Sequence, residues 1–206
     1  MKGKFIVIEG GDGSGKDTQI ELLKKELGEE NIIWTREPGG TAAGTEIRKI
    51  LLSDALTDVS AKTELLLFYA SRAEHLEKII IPALESGMNV LSNRFSLTTL
   101  AYQIYGRERF ELFDFCKMVD SQVVGLYQPD MTIFIDVPPE TAVRRLNARP
   151  NEINRLDSVP LSVHIKRREG YLKELKNIPS EIINGNQSVE KVFADFLPVV
   201  KKSLLA

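Results

Sequence analysis

Four short runs rich in β-branched and aromatic residues punctuate the chain: Lys4–Glu9, Asn31–Thr35, Asn89–Asn93 and Met131–Val137, with a weaker fifth at Glu181–Asn184. Several are continuously apolar instead of alternating, the pattern of a strand buried on both faces. Between them apolar residues recur at helical spacing. Residues 16–27 carry Ile20, Leu23 and Leu27 on one face. Residues 60–81 carry Leu65, Phe68, Tyr69, Leu76, Ile79 and Ile80 behind Ser60 as a cap. Further helices are predicted over 139–149, where Pro150 stops the run, over 160–177, and from about Ser188 to the end, with a kink at Pro198. Strands alternating with helices of this length predict right-handed βαβ units, hence an α/β fold with a parallel sheet and helices on both faces. Ligands of such folds bind beyond the C-terminal strand ends.

The length of 206 residues suits one well-buried domain spanning 1–206. The 27 Lys and Arg against 29 Asp and Glu argue against a protein that coats nucleic acid by bulk charge, yet leave room for a local basic pocket. No apolar run approaches membrane-spanning length, and the start MKGKFIVIEGGDG lacks the pattern of a cleaved leader. One cysteine, Cys116, excludes an intrachain disulfide and suits a reducing compartment. The expected location is the cytoplasm, with no nucleic-acid or membrane partner.

Directly after the first strand stand Gly10, Gly11, Asp12, Gly13, Ser14, Gly15, Lys16, Asp17 and Thr18. This is the G-x-x-x-x-G-K pattern between a strand and a helix. Its glycines let backbone N–H groups turn inward around phosphate oxygens, the helix directs its positive end there, and Lys16 reaches the outer phosphates. The nine residues are the predicted ATP site. Aspartate replaces the hydroxyl residue expected after the lysine, and two readings stand side by side. Asp17, with Thr18 behind it, holds Mg²⁺; or Asp17 is an outward first-turn acid favoured by the helix dipole.

Four further segments sharpen the picture: Arg36-Glu37-Pro38-Gly39-Gly40-Thr41, Phe68-Tyr69-Ala70-Ser71-Arg72-Ala73-Glu74-His75, Asn93-Arg94-Phe95 leading to Thr98-Thr99-Leu100-Ala101-Tyr102-Gln103, and Phe134-Ile135-Asp136-Val137-Pro138-Pro139-Glu140. With IEGGDGSGK, in this order and at this spacing, they resemble the thymidylate kinase (dTMP kinase) family from about residue 4 to residue 157. The resemblance implies a three-layer phosphate-loop NTPase-type fold with a five-stranded parallel sheet. It implies ATP as co-substrate, Mg²⁺, dTMP as acceptor, and a homodimer. Phe68 and Arg72, four apart on a helix, suit a stacked pyrimidine and its carbonyl O4, although Phe68 on the same apolar stripe also reads as core. The resemblance assigns Arg36 and Arg94 to the acceptor phosphate, where either alone also reads as a surface ion pair. It places Thr98, Tyr102 and Gln103 around the sugar and base, with the Tyr102 ring under C2′, and Asp12 near the 3′-hydroxyl.

Between Arg144 and Arg168 the chain carries a net charge of +5. Residues 148–158 correspond to the family's lid, which in members without an arginine in the phosphate loop supplies the cation for the transferring group; Arg155 is the first choice and Arg149 the second. Arg167 and Arg168 read as a solvated helix face. The family usually has Asp-Arg where this chain has Asn93-Arg94 and Ser71-Arg72. Asp17 then restores near the metal the carboxylate missing at 93, and Ser71 loosens the hold on Arg72. Two alternatives remain open: a kinase of the same fold acting on another monophosphate, and a catalytically impaired nucleotide-binding homologue. The segment near Asn186 is the expected neighbour of adenine.

Overall fold

The apolar run after Lys4 becomes β1 (Phe5–Glu9), and every residue of it is buried. Alternate side chains of a strand face opposite ways. Ile6 and Ile8 enter one core with Ile20, Leu23, Phe196 and Val200, whereas Phe5 and Val7 enter another with Leu76, Ile80, Leu84 and Phe95. A strand that feeds two cores has no polar face to show, hence its continuous hydrophobicity. The computed structural model describes residues 2–53, 58–148 and 154–205. Beside β1 lie β2 (Ile32–Arg36), β3 (Asn89–Asn93), β4 (Met131–Asp136) and β5 (Ser180–Asn184). All pairings are parallel, in the order β2-β3-β1-β4-β5. The sheet is the five-stranded one expected.

The helices are α1 (Lys16–Leu27), α2 (Ala42–Leu52), α3 (Ala61–His75), α4 (Ile81–Glu85), α5 (Ser96–Thr99), α6 (Phe113–Val124), α7 (Pro139–Asn147), α8 (Leu161–Glu174) and α9 (Val189–Leu205). Ser60 caps α3 as predicted, its Oγ accepting from the Thr63 N–H at 3.1 Å. The run predicted as one helix over 60–81 has a different interior: Leu76–Ile80 winds as a π-helix before α4. Pro82, which has no N–H to give, is the second residue of α4, directly after this wider winding. A second π segment, Leu100–Tyr105, continues α5 and carries Tyr102 and Gln103. Wider winding of this kind redirects side chains and recurs at functional sites. Helix α9 includes Pro198 within a single assigned helix. Helix α2, not read from the sequence, starts at a Thr41 cap that accepts the Gly44 N–H at 3.0 Å. Among the described residues no helix is long and apolar enough to cross a membrane.

Candidate active site

The phosphate loop joins β1 to α1, at the C-terminal edge of the sheet. Gly13 and Gly15 hold φ of 77° and 85°, a left-handed conformation that glycine adopts without strain. At Gly13 space is closed as well: a Cβ there would lie 2.4 Å from the Ala142 carbonyl of α7. Lys16 is 5% exposed and enters no ion pair among the described residues. Burial and the nearby Arg94 guanidinium lower its ammonium to about 8, against the pull of Asp17, Asp12 and Glu9. A buried cation held so loosely to its proton is primed to gain from phosphate.

Arg94 follows β3 with a φ of 72°, a backbone conformation that costs a non-glycine residue about 1–3 kcal/mol. Its side chain is fixed on every side. One terminal nitrogen pairs with Asp12 and donates to the Tyr102 hydroxyl at 3.3 Å; the other donates to Thr98 Oγ1 at 3.1 Å and to the Tyr171 hydroxyl at 3.2 Å. Thr98 donates in turn to the buried Glu9 at 2.6 Å, and Tyr102 donates to Asp12. Burial raises the Glu9 carboxyl despite the opposing pull of Arg94 and Thr98. For Asp12 burial acts upward too, but Arg94, a hydrogen bond with Asp157, Lys16 and Tyr102 outweigh it and hold the carboxyl well below its ordinary value. Asp157 pays for this arrangement: burial and the Asp12 charge push it up to about 7.

Arg72 is 1% exposed. Its Nε donates to Glu37 at 2.8 Å and its Nη2 to Thr99 at 3.0 Å, while the Tyr69 and Phe95 rings lie 4.6 and 4.9 Å from the guanidinium carbon. Nη1 has no partner among the described residues. The expected loosening by Ser71 is not what the structure shows. Ser71 accepts the Gly39 N–H at 3.1 Å, and Glu37, itself oriented by His75, supplies the carboxylate.

A cleft of about 530 Å³ runs from the phosphate loop to Phe68, and Arg36, Arg94, Thr98 and Tyr102 line it with Lys16. Other expected residues lie elsewhere. Gln103 and Arg72, each 1% exposed, are absent from the cleft wall: Gln103 donates to Glu64 at 2.8 Å, and Arg72 lies one helix turn from Phe68, which does line it. Arg155, expected at the transferring phosphate, instead donates to the same fully buried Glu64 at 2.6 Å, as does Arg107 at 2.9 Å. An uncompensated carboxylate there would be costly, so Glu64 collects the cations within reach. Arg149 lies outside the described residues. Asp17 accepts from the Asn93 amide at 2.6 Å. Burial would raise its carboxyl, but Lys16, Asn93, Arg36 and Arg94 hold it below the ordinary value. Arg36 is the last residue of β2.

Several site residues escaped the sequence reading. Arg48 of α2 lines the cleft, its guanidinium lowered to about 10 by burial and by Arg36 and Arg94. Arg145 of α7 donates to the Gly185 carbonyl at 3.1 Å, and Gly185, Gln187, Val189 and Val192 complete that end of the cleft, close to the segment expected beside adenine. Glu9 offered a signal, a carboxylate closing an otherwise apolar strand; Arg48 offered none. Arg167 does not belong to a solvated face, being 6% exposed, whereas Arg168 keeps a side chain 36% exposed and grips Asp136 through two bonds of 2.7 and 2.8 Å.

A glycine cradle and the arginines that converge beside it line one cleft suited to phosphorylated ligands, the arrangement of a phosphate-loop nucleotide kinase. The comparisons with known proteins carry this further. Residues 8–196 match the family described as Thymidylate kinase. A thymidylate kinase of Clostridium novyi is 41% identical over 199 residues, covering 94% of this chain and 96% of its own. One of Carboxydothermus hydrogenoformans is 43% identical, covering 94% of each. The crystal structure of thymidylate kinase from Ehrlichia chaffeensis superimposes with a TM-score of 0.77 at 29% identity, covering 98% of this chain and 99% of that one. The chain belongs to the thymidylate kinase family, and so to the nucleoside-monophosphate kinases that use ATP as co-substrate.

Proposed function

We propose that this chain transfers the γ-phosphoryl group of ATP to dTMP, giving dTDP and ADP for dTTP synthesis, with Mg²⁺, as a cytoplasmic homodimer. The observation that carries the reading is the fully buried Arg72, which keeps one terminal nitrogen uncommitted while Glu37 and Thr99 hold the rest of its fork. A guanidinium fixed in this way donates to a carbonyl at thymine O4 and meets a donor amine on cytosine, which it rejects. Phe68 on the cleft wall offers the stacking face.

Phosphoryl transfer is catalysed by positioning and charge neutralisation more than by covalent chemistry. In this reading the loop amides and Lys16 hold the donor phosphates, and Arg36 and Arg94 hold the acceptor phosphate. Asp12 and Tyr102 stand beneath the sugar. No general base is needed, because the acceptor oxygen is already ionised at neutral pH. Arg155 remains the proposed lid cation, and reaching the transferring group requires it to leave Glu64; Arg149 is its alternate. Magnesium needs few protein ligands when phosphates supply the rest. The donors present fit such an ion: the Asp17 carboxylate, Thr18 beside it, and the buried Asn93 Oδ1, which has no partner among the described residues. When bound, the ion neutralises phosphate charge. Leu66 of α3 and Met118 of α6, 43% and 54% exposed, support a subunit contact on that side of the molecule.

The deciding experiment is ADP release with ATP and Mg²⁺ across dTMP, dUMP, dCMP and AMP, with oligomeric state followed by light scattering. Turnover is expected to be clearly best with dTMP. Absence of dTMP-dependent turnover, or preference for another monophosphate, would reject the reading.

A further inference from the structure

Arg167 of α8 sits where the basic run was expected to face water, yet only 6% of it is exposed. Its guanidinium carbon lies 4.0 Å from the centroid of the Tyr102 ring. Nη1 donates to the Leu156 carbonyl at 2.8 Å and stands 3.9 Å from Asp12 Oδ2. Nε is buried without a partner among the described residues. Space for the stem is left by Gly106, where a Cβ would lie 2.8 Å from Arg167 Cγ. Filling a core with a guanidinium that leaves one N–H unpaired costs more than filling it with an apolar side chain. The position therefore calls for a role besides packing.

Geometry supplies one. The Tyr102 hydroxyl is anchored by Asp12 and Arg94, but a phenol oxygen lies on the long axis of its ring. The hydroxyl bonds therefore do not set the ring plane, which falls to what packs against the buried ring: Tyr171, edge-on with centroids 6.4 Å apart, and the guanidinium carbons of Arg94 at 5.2 Å and Arg167 at 4.0 Å. Arg167 is the nearest of these, and a planar cation over the ring face constrains its tilt. That cation is tied to the backbone of Leu156, which stands in the lid segment and lines the cleft.

We propose that Arg167 is a positioning residue for acceptor selection: it sets the plane of the Tyr102 ring and ties that plane to the lid, so that an acceptor carrying a 2′-hydroxyl is excluded. The inference rests on the reading of Tyr102 as the surface beneath the sugar. It differs from that reading in naming what holds the ring and in making selection depend on lid contact.

The test compares kcat and KM for dTMP and for 5-methyluridine 5′-monophosphate, which differ only at the 2′ position. Arg167→Met is expected to lower the ratio of kcat/KM values for the two acceptors about tenfold, mainly through KM, and Arg167→Lys, which keeps charge but not the planar fork, roughly threefold. In a Tyr102→Leu background Arg167→Met should change the ratio no further. A lowered melting temperature with an unchanged ratio would overturn the proposal, as would equal effects in both backgrounds. Should Arg167→Met fail to fold, Arg167→Lys carries the same comparison. If the wild-type protein does not turn over dTMP at all, the assignment of the reaction fails. Calorimetric affinities for the two monophosphates then test Arg167 independently, with the same ratios deciding.

Discussion

The two halves of the cleft are built in opposite ways. The phosphate loop is one continuous segment whose working groups are backbone amides and a single lysine, and that lysine makes no ion pair among the described residues. The side beside the loop gathers side chains from α3, the end of β3, the π segment after α5, and α8, and its arginines are already paired: the buried Arg72 with Glu37, the largely buried Arg94 with Asp12. A loop that relies on backbone needs no partner charges, because dipoles are fixed by the fold itself. Side chains that must stay rigid in a half-buried pocket need carboxylates to hold them, at the cost of neutralising part of their charge until substrate arrives.

That contrast predicts how each half breaks. Lys16→Met should reduce kcat by about a thousandfold or more while leaving the melting temperature unchanged or raised, because a buried ammonium without a partner contributes nothing to folding. Steady-state kinetics and thermal melts on the same preparation check both parts. Arg94→Ala should reduce kcat/KM by roughly a hundredfold and also destabilise by about 2–3 kcal/mol, since Asp12, 17% exposed, loses its main cation; denaturant unfolding reads the second effect. Loss of activity without loss of stability at Arg94 would erase the distinction between the halves.

A third test lies on the seam between them. Asp17→Ser and Asn93→Asp should each lower kcat and weaken Mn²⁺ binding measured by electron paramagnetic resonance, about tenfold, and the double variant should recover both. The two residues touch at 2.6 Å, close enough for one carboxylate to serve from either position. Additive losses would show that Asp17 is no substitute for an acid at 93.

The smallest effect concerns the join between lid and acceptor floor. Asp157 binds its proton more tightly folded, at about 7, than its ordinary value of 3.8. Its contribution to stability is therefore full below about pH 4 and is lost as pH rises towards 7. Above that point Asp157 and Asp12 repel each other. Asp157→Asn should flatten the fall in melting temperature between about pH 5 and 7.5 and leave the variant a few degrees above wild type at pH 8. A parallel pair of pH profiles would show that the lid carboxyl carries no such strain.

Much of the fold was legible along the chain, because its causes are local. Strand β1 reads as apolar throughout since both of its faces are buried, and the cap at Ser60 and the glycines of the loop carry their own conformational signals. The phosphate loop was legible for the same reason: nine consecutive residues make it. That Phe68 and Arg72 share one helix, a turn apart, was legible from their spacing. By contrast, nothing local marks Glu37 as the partner of Arg72, since the two lie on different elements brought together only by packing of the β2 end against α3. Nor does anything local announce that Arg155 and Gln103 both bond to the buried Glu64, a residue unremarkable in sequence.

Arg167 shows the limit most clearly. In a run of seven basic residues within 25 positions it looks like its neighbours, and its register on α8 alone puts it inside. Residue type and local spacing determined the sheet, the loop, the class of ligand and most of the cations. Tertiary packing alone decided which of those cations are spoken for, because pairing depends on distances between segments remote in sequence, and in a low-dielectric interior such distances decide where each charge can rest.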